Sequence, residues 1–152
     1  MDQYETAVVP LDGSEFSRKA LAHVARINPK AVILISVMES VASALSRQTG
    51  IVADVPPDVA RKVSEAEQSR LRADLDAARE ELRGLGWTGA VSPLVVTGNP
   101  GEQIVAATRD LSADLVVMTT HGRKGIRRAM LGSVAEHVVR EVKETAVLLV
   151  RP

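Results

Sequence analysis

The densest chemistry in the chain lies between Met118 and Ser133, where Gly122, Gly125 and Gly132 are interleaved with Arg123, Lys124, Arg127 and Arg128. The apolar run Leu115–Met118 precedes this stretch and reads as a buried strand, and Val134 to Val142 follows with helical character. A strand, a Gly-rich basic loop and a helix start suit phosphate: glycines admit close backbone approach, N–H groups donate, and the helix dipole favours negative charge. Four cations between positions 123 and 128 repel one another unless an anion sits among them, the alternative being a solvated loop.

A second candidate is Pro10-Leu11-Asp12-Gly13, after the apolar run Ala7–Val9. Asp12 is either a turn residue, since Asp-Gly is common turn chemistry, or a ligand contact at the end of a strand. His121, Ser133 and Asp12 have the side chains of a nucleophilic triad. A hydrolase elbow, however, needs Gly-x-Ser-x-Gly, and Gly132-Ser133-Val134-Ala135-Glu136 lacks it. His121 therefore reads as a loop or pocket-wall residue, and no catalytic residue is assigned. The phosphate loop of motor-type NTPases and the dinucleotide glycine fingerprint are both absent.

Composition narrows the classes further. The 152 residues fit one domain with a substantial core, and a single Phe, Tyr and Trp leave that core aliphatic. With 19 basic and 19 acidic residues no global field recruits nucleic acid, and stacking aromatics are lacking. The absence of cysteine removes disulfides and thiol chemistry, and no two histidines have metal-ligand spacing. Apolar runs are too short for a bilayer and Met1–Thr6 is polar, so a cytoplasmic protein without membrane or nucleic-acid partners is expected.

The elements that must position the candidates alternate. Ala7–Pro10 is a strand; Ser14 caps a helix running to about Ile27, with Phe16, Ala20, Leu21, Val24 and Ile27 on one face. Ala31–Val37 is an unalternating strand, as expected of a parallel strand covered on both faces. Glu39 to Asp58 reads as a loop with a short helical piece, and Asp58–Gly84 as a helix with an apolar stripe from Val59 and Val63 to Leu82 and Leu85. Val91–Val96 is a strand that Pro93 relegates to an edge. A helix follows Gly98-Asn99-Pro100-Gly101, then the strand Leu115–Met118, a helix from Ser133, and the strand Ala146–Val150. Such alternation implies a doubly wound parallel sheet with helices on both faces. Alternation alone allows the orders 3-2-1-4-5 and 2-1-3-4-5, and the edge proline favours the first. In that order the two chemical loops meet beside strands one and four, where ligands bind in such sheets.

Four segments carry a resemblance over nearly the whole chain: Val8–Ser14, Gly98-Asn99-Pro100, Asp114–Arg123 and Leu131–Glu136. The chain resembles the universal stress proteins, α/β domains within a larger group of adenine-nucleotide-binding, alpha-hydrolase-like folds. ATP-binding members carry glycine, two residues, glycine, nine residues, then glycine and Ser or Thr. Gly122 and Gly132-Ser133 match, whereas Thr119 stands at the first glycine, either crowding a ribose or phosphate or adding a hydroxyl contact.

The resemblance implies that Asp12 contacts the adenosine moiety and Pro10 lines its pocket, with backbone groups of Val37 at the adenine edge. Thr119, His121, Gly122, Arg123 and Gly125 would wrap the phosphates, and Gly132, Ser133 and Val134 would supply helix-terminal donors. Ser133 is expected to be the N-cap, its hydroxyl in reach of a phosphate or a bound Mg2+. The implied function is an ATP-regulated stress protein with at most slow hydrolysis, dimerising through Ala146–Val150. The alternatives are a non-nucleotide interaction protein of the same fold and, more remotely, an adenylate-forming enzyme.

Overall fold

The computed structural model describes residues 2–51, 54–121 and 131–152. The elements are β1 (Thr6–Pro10), α1 (Glu15–Ile27), β2 (Ala31–Met38), α2 (Val41–Thr49), α3 (Pro57–Gly84), β3 (Ala90–Thr97), α4 (Pro100–Asp110), β4 (Leu115–Thr119), α5 (Ser133–Glu141) and β5 (Ala146–Val150). The sheet is parallel in the order β3-β2-β1-β4-β5. Pro93 indeed lies on an edge strand, opposite Leu34 of β2, where a missing N–H is tolerated.

Helix boundaries follow local chemistry. Ser14 has extended backbone and its Oγ accepts from the Ser17 N–H at 3.1 Å, capping α1. Asn28 ends α1 in the left-handed region, φ 57°, and Pro29 prevents continuation. The helical piece expected after Glu39 is α2, capped by Ser40 and ended by Gly50.

Successive residues of β1 serve opposite faces of the sheet, as the strand pleat requires. Ala7 and Val9 join a cluster with Ala20, Leu21 and Val24 of α1 and Leu75, Ala78 and Leu82 of α3. Val8 joins Ile104 and Ala107 of α4 and Ala135 and Val138 of α5 on the other face. Helices α1 and α3 thus cover one side, α4 and α5 the other. Because α1 leaves β1 on the first side and α5 follows β4 on the second, the sheet opens between β1 and β4 at its carboxyl ends.

Two packing expectations change. Ser17, not Phe16, completes the buried face of α1, because its hydroxyl donates to the Ser14 carbonyl at 2.9 Å. Val59 and Val63 are 50% and 48% exposed and Leu85 is exposed too, so the α3 stripe is buried only from Leu71 to Leu82, where the helix lies over the sheet. Trp87 is fully enclosed; its Nε1 donates to the Pro29 carbonyl at 3.0 Å. Gly89 lies beneath it, where a Cβ would meet the indole at 2.3 Å and the Lys30 carbonyl at 2.7 Å.

Candidate functional site

A cleft of about 1060 Å³ opens beyond the carboxyl ends of β1 and β4. Pro10, Asp12, Val37, Thr119, His121, Gly132, Ser133 and Val134 all line it. Gly122, Arg123 and Gly125 lie outside the described residues. Elements that are distant in sequence therefore converge on one space.

The β1 side is built by a turn. The Asp12 Oδ1 accepts from the Ser14 N–H at 2.9 Å and from the Ser14 hydroxyl, while the Ser14 Oγ caps α1. Asp12 is thus a turn residue, and it also lines the cleft; the turn aims it there. Leu11 N–H donates to the Ile35 carbonyl at 2.8 Å, which orients Ile35 toward β1. Val37, two residues on, has the same strand phase, but β1 pairs with β2 only as far as Pro10–Ile35. Its backbone N–H and carbonyl accordingly face the opening, where a flat heterocycle with adjacent donor and acceptor could pair with them.

On the β4 side, Thr119 is 8% exposed and its hydroxyl donates to the His121 carbonyl at 3.2 Å, tying the threonine into the turn that begins there. The Thr120 hydroxyl and the His121 Nδ1 share a hydrogen bond of 2.9 Å. His121 is thereby oriented by a neighbouring hydroxyl rather than a carboxylate.

The start of α5 corrects one expectation. Gly132, not Ser133, is the N-cap (φ −64°, ψ 156°), and Ser133 is the first helical residue. The reason is a close backbone approach: Gly132 N–H donates to the Thr120 carbonyl at 2.7 Å, and a Cβ on residue 132 would sit 2.8 Å from that oxygen. Among the described residues no side chain caps this helix, and Glu136 N–H makes its first return bond, to the Gly132 carbonyl. The N–H groups of Ser133, Val134 and Ala135 precede that bond, and these residues line the cleft. By contrast α1, α2 and α4 carry their own caps, Ser14, Ser40 and Asn99. Helix α3, opened by Pro56-Pro57, also lacks a side-chain cap, but its first turn does not line the cleft, whereas that of α5 does.

Sequence reasoning missed the outer wall. Helix α2 contributes Val41, Ala44, Leu45 and Arg47, and Glu39 precedes it. Glu39 and Arg47 form an ion pair. The stretch carries no glycine pattern or cluster of like charge, and only the chain path brings it over β2. Among the described residues no group of His, Asp and Glu is arranged to hold a metal ion. No helix among them is long and apolar enough to cross a membrane.

Fold and cleft together define a doubly wound α/β protein with an open crevice at its topological switch point. The chain belongs to the universal stress protein family, whose family model matches residues 3–151. Universal stress protein MJ0577 of Methanocaldococcus jannaschii is 26% identical, covering 97% of this chain and 96% of that one. The solved structure of MJ0577 superposes with a TM-score of 0.80 at 25% identity, covering 99% and 98% of the two chains. YxiE of Bacillus subtilis is 28% identical over 97% of this chain and 99% of its own. A universal stress protein solved in complex with cAMP matches with a TM-score of 0.65 at 25% identity, covering 99% of this chain and 98% of that one.

Proposed function

We propose that the cleft binds an adenine nucleotide, ATP in particular, as a regulatory ligand. The observation that carries this reading is the uncapped α5 terminus at the cleft, held against Thr120 by a glycine that tolerates no Cβ. The Val37 backbone suits the adenine edge, Pro10 and Asp12 suit the adenosine moiety, and the N–H groups of Ser133 and Val134 suit phosphate. The Ser133 hydroxyl would share a Mg2+ with the phosphates, which would have to supply most of its ligands. A relative of this fold captured with cAMP supports the ligand class. With no catalytic residue assigned, regulation by occupancy is favoured over rapid hydrolysis.

Calorimetric titration with ATP and magnesium, preceded by acid extraction of any co-purified nucleotide, tests the proposal. Its most direct variant is Ser133→Pro. Proline is suited to the first helical position, and the Gly132 ψ of 156° is the conformation a residue before proline prefers. The change removes one N–H and one hydroxyl while sparing the helix. Affinity for ATP should fall by about tenfold or more at an unchanged melting temperature. Unaltered affinity would remove α5 from the site, and absence of ATP binding by the unmodified protein at millimolar concentration would leave the interaction-protein reading.

A homodimer through β5 is the second part of the proposal. Strand β5 pairs with β4 on one side, and Ala146 N–H points inward to the Asp114 carbonyl. Val147 and Leu149, in the opposite phase, present their N–H groups outward, a pairing edge that a second copy would cover. Leu149→Pro should yield a monomer by light scattering, because the outward N–H is lost, with some loss of stability from the leucine side chain that packs against the α4 and α5 core. A mutant that is still dimeric would place the interface elsewhere.

A further inference from the structure

The described wall of the cleft holds one strongly basic side chain for the ligand proposed above. Asp12, Glu39 and Glu67 line it, and among the described residues Arg47 is its one Arg or Lys. A polyphosphate entering there would compete for Arg47, which is engaged by Glu39. Both residues also line a smaller hollow of about 280 Å³ that reaches Ser133 and Val134 at the start of α5. Arg47 thus stands across a short gap from the N–H groups suited to phosphate. Its guanidinium can exchange one oxyanion partner for another with the same forked geometry.

We infer that Arg47 is a phosphate-sensing residue of this cleft, held by Glu39 until a nucleotide polyphosphate competes for it. The inference rests on the nucleotide reading and deepens it: the transfer distinguishes ATP from adenosine, and it moves α2. That helix is suited to moving. It buries no residue fully, and its side chains face the cleft and α3 rather than the core. Glu39 acts as a built-in competitor. It lowers affinity for every phosphorylated ligand and couples the position of α2 to occupancy, since the group that leaves Glu39 is the group that grips the ligand.

The test compares ATP, adenosine and inorganic tripolyphosphate by calorimetry on the unmodified chain, Arg47→Met and Glu39→Gln. Methionine keeps much of the aliphatic stem of Arg47 and removes the charge. Arg47→Met should weaken ATP and tripolyphosphate about tenfold and leave adenosine unchanged; Glu39→Gln should strengthen the same two ligands severalfold. Hydrogen exchange should show ATP slowing the amides of α2 in the unmodified chain and not in Arg47→Met. Equal losses for ATP and adenosine would make Arg47 merely structural and overturn the inference, as would ATP binding that ignores both variants while the nucleotide reading stands. Tripolyphosphate binding that depends on Arg47, without any adenosine binding, would retain the phosphate sensor and overturn the adenine assignment. Binding of none of the three ligands to the unmodified chain would end both.

Discussion

The two ends of the sheet have opposite characters. At the amino ends of the strands, polar groups are used up by the protein itself. The Asp114 carboxylate accepts from Glu5 and Thr6 N–H at 2.8 and 2.9 Å, and its backbone bridges Thr6 and Ala146. The Thr145 hydroxyl donates to the Ala113 carbonyl, Lys30 pairs with Glu5, and Trp87 closes the corner over Gly89. At the carboxyl ends the same backbone leaves groups directed at a cleft: Val37, the first turn of α5, and side chains on three walls. One end stabilises the fold, and the other keeps backbone groups at the cleft that the proposed ligand would use. The difference comes from topology, because the closed end has no point at which neighbouring connections part to opposite faces.

If the division is sound, damage to the closed end should cost stability without changing ligand affinity. The largest expected effect is that of Trp87→Ala, which empties a buried indole site and removes its bond to Pro29. About 3–5 kcal/mol should be lost in denaturant unfolding, while the folded fraction retains its ATP affinity. A comparable loss of affinity would mean that the two ends are coupled.

Asp114→Asn probes the same end by pH. Burial pushes the Asp114 carboxyl up, but the N–H groups of Glu5, Thr6 and its own backbone, with Lys30 nearby, outweigh this and hold it below the ordinary carboxylate range. A depressed folded value means that the stabilisation is complete above the unfolded pKa of about 3.9 and disappears as pH falls through the lower folded value. The variant should lose about 1 kcal/mol at neutral pH and show a shallower acid limb in its stability profile. An unchanged acid limb would show that the clamp is not ionic.

The smallest effect is expected at the open end, for Thr119→Gly. The threonine hydroxyl is committed to the His121 carbonyl and little of the side chain is exposed. Affinity for ATP should therefore change by roughly threefold or less, below about 0.7 kcal/mol. A tenfold gain would show that Thr119 obstructs the site where the family pattern has glycine.

Much of this was legible in residue order. Unalternating apolar runs gave the strands, Ser14 and Asn28-Pro29 bounded α1, and Pro93 chose the strand order by tolerating only an edge. The cleft-lining stretches Pro10–Asp12 and Gly132–Val134 are legible because turn and helix-start chemistry are local. Serine's preference for the cap points to Ser133, yet the close contact of residue 132 with Thr120 reserves that position for glycine. The exposure of Val59 and Val63 is likewise not legible in the sequence, since periodicity shows which face a helix has and not how far its neighbour extends.

The sequence alone therefore determined the elements, their parallel winding and the loops that carry chemistry, because caps, prolines and apolar runs act over a few residues. Only the tertiary structure decided which α5 donors are left uncapped, where Val37 directs its backbone, and that Glu39 and Arg47 of a patternless stretch stand at the cleft. Those facts depend on contacts between residues far apart in the chain, which no local spacing encodes.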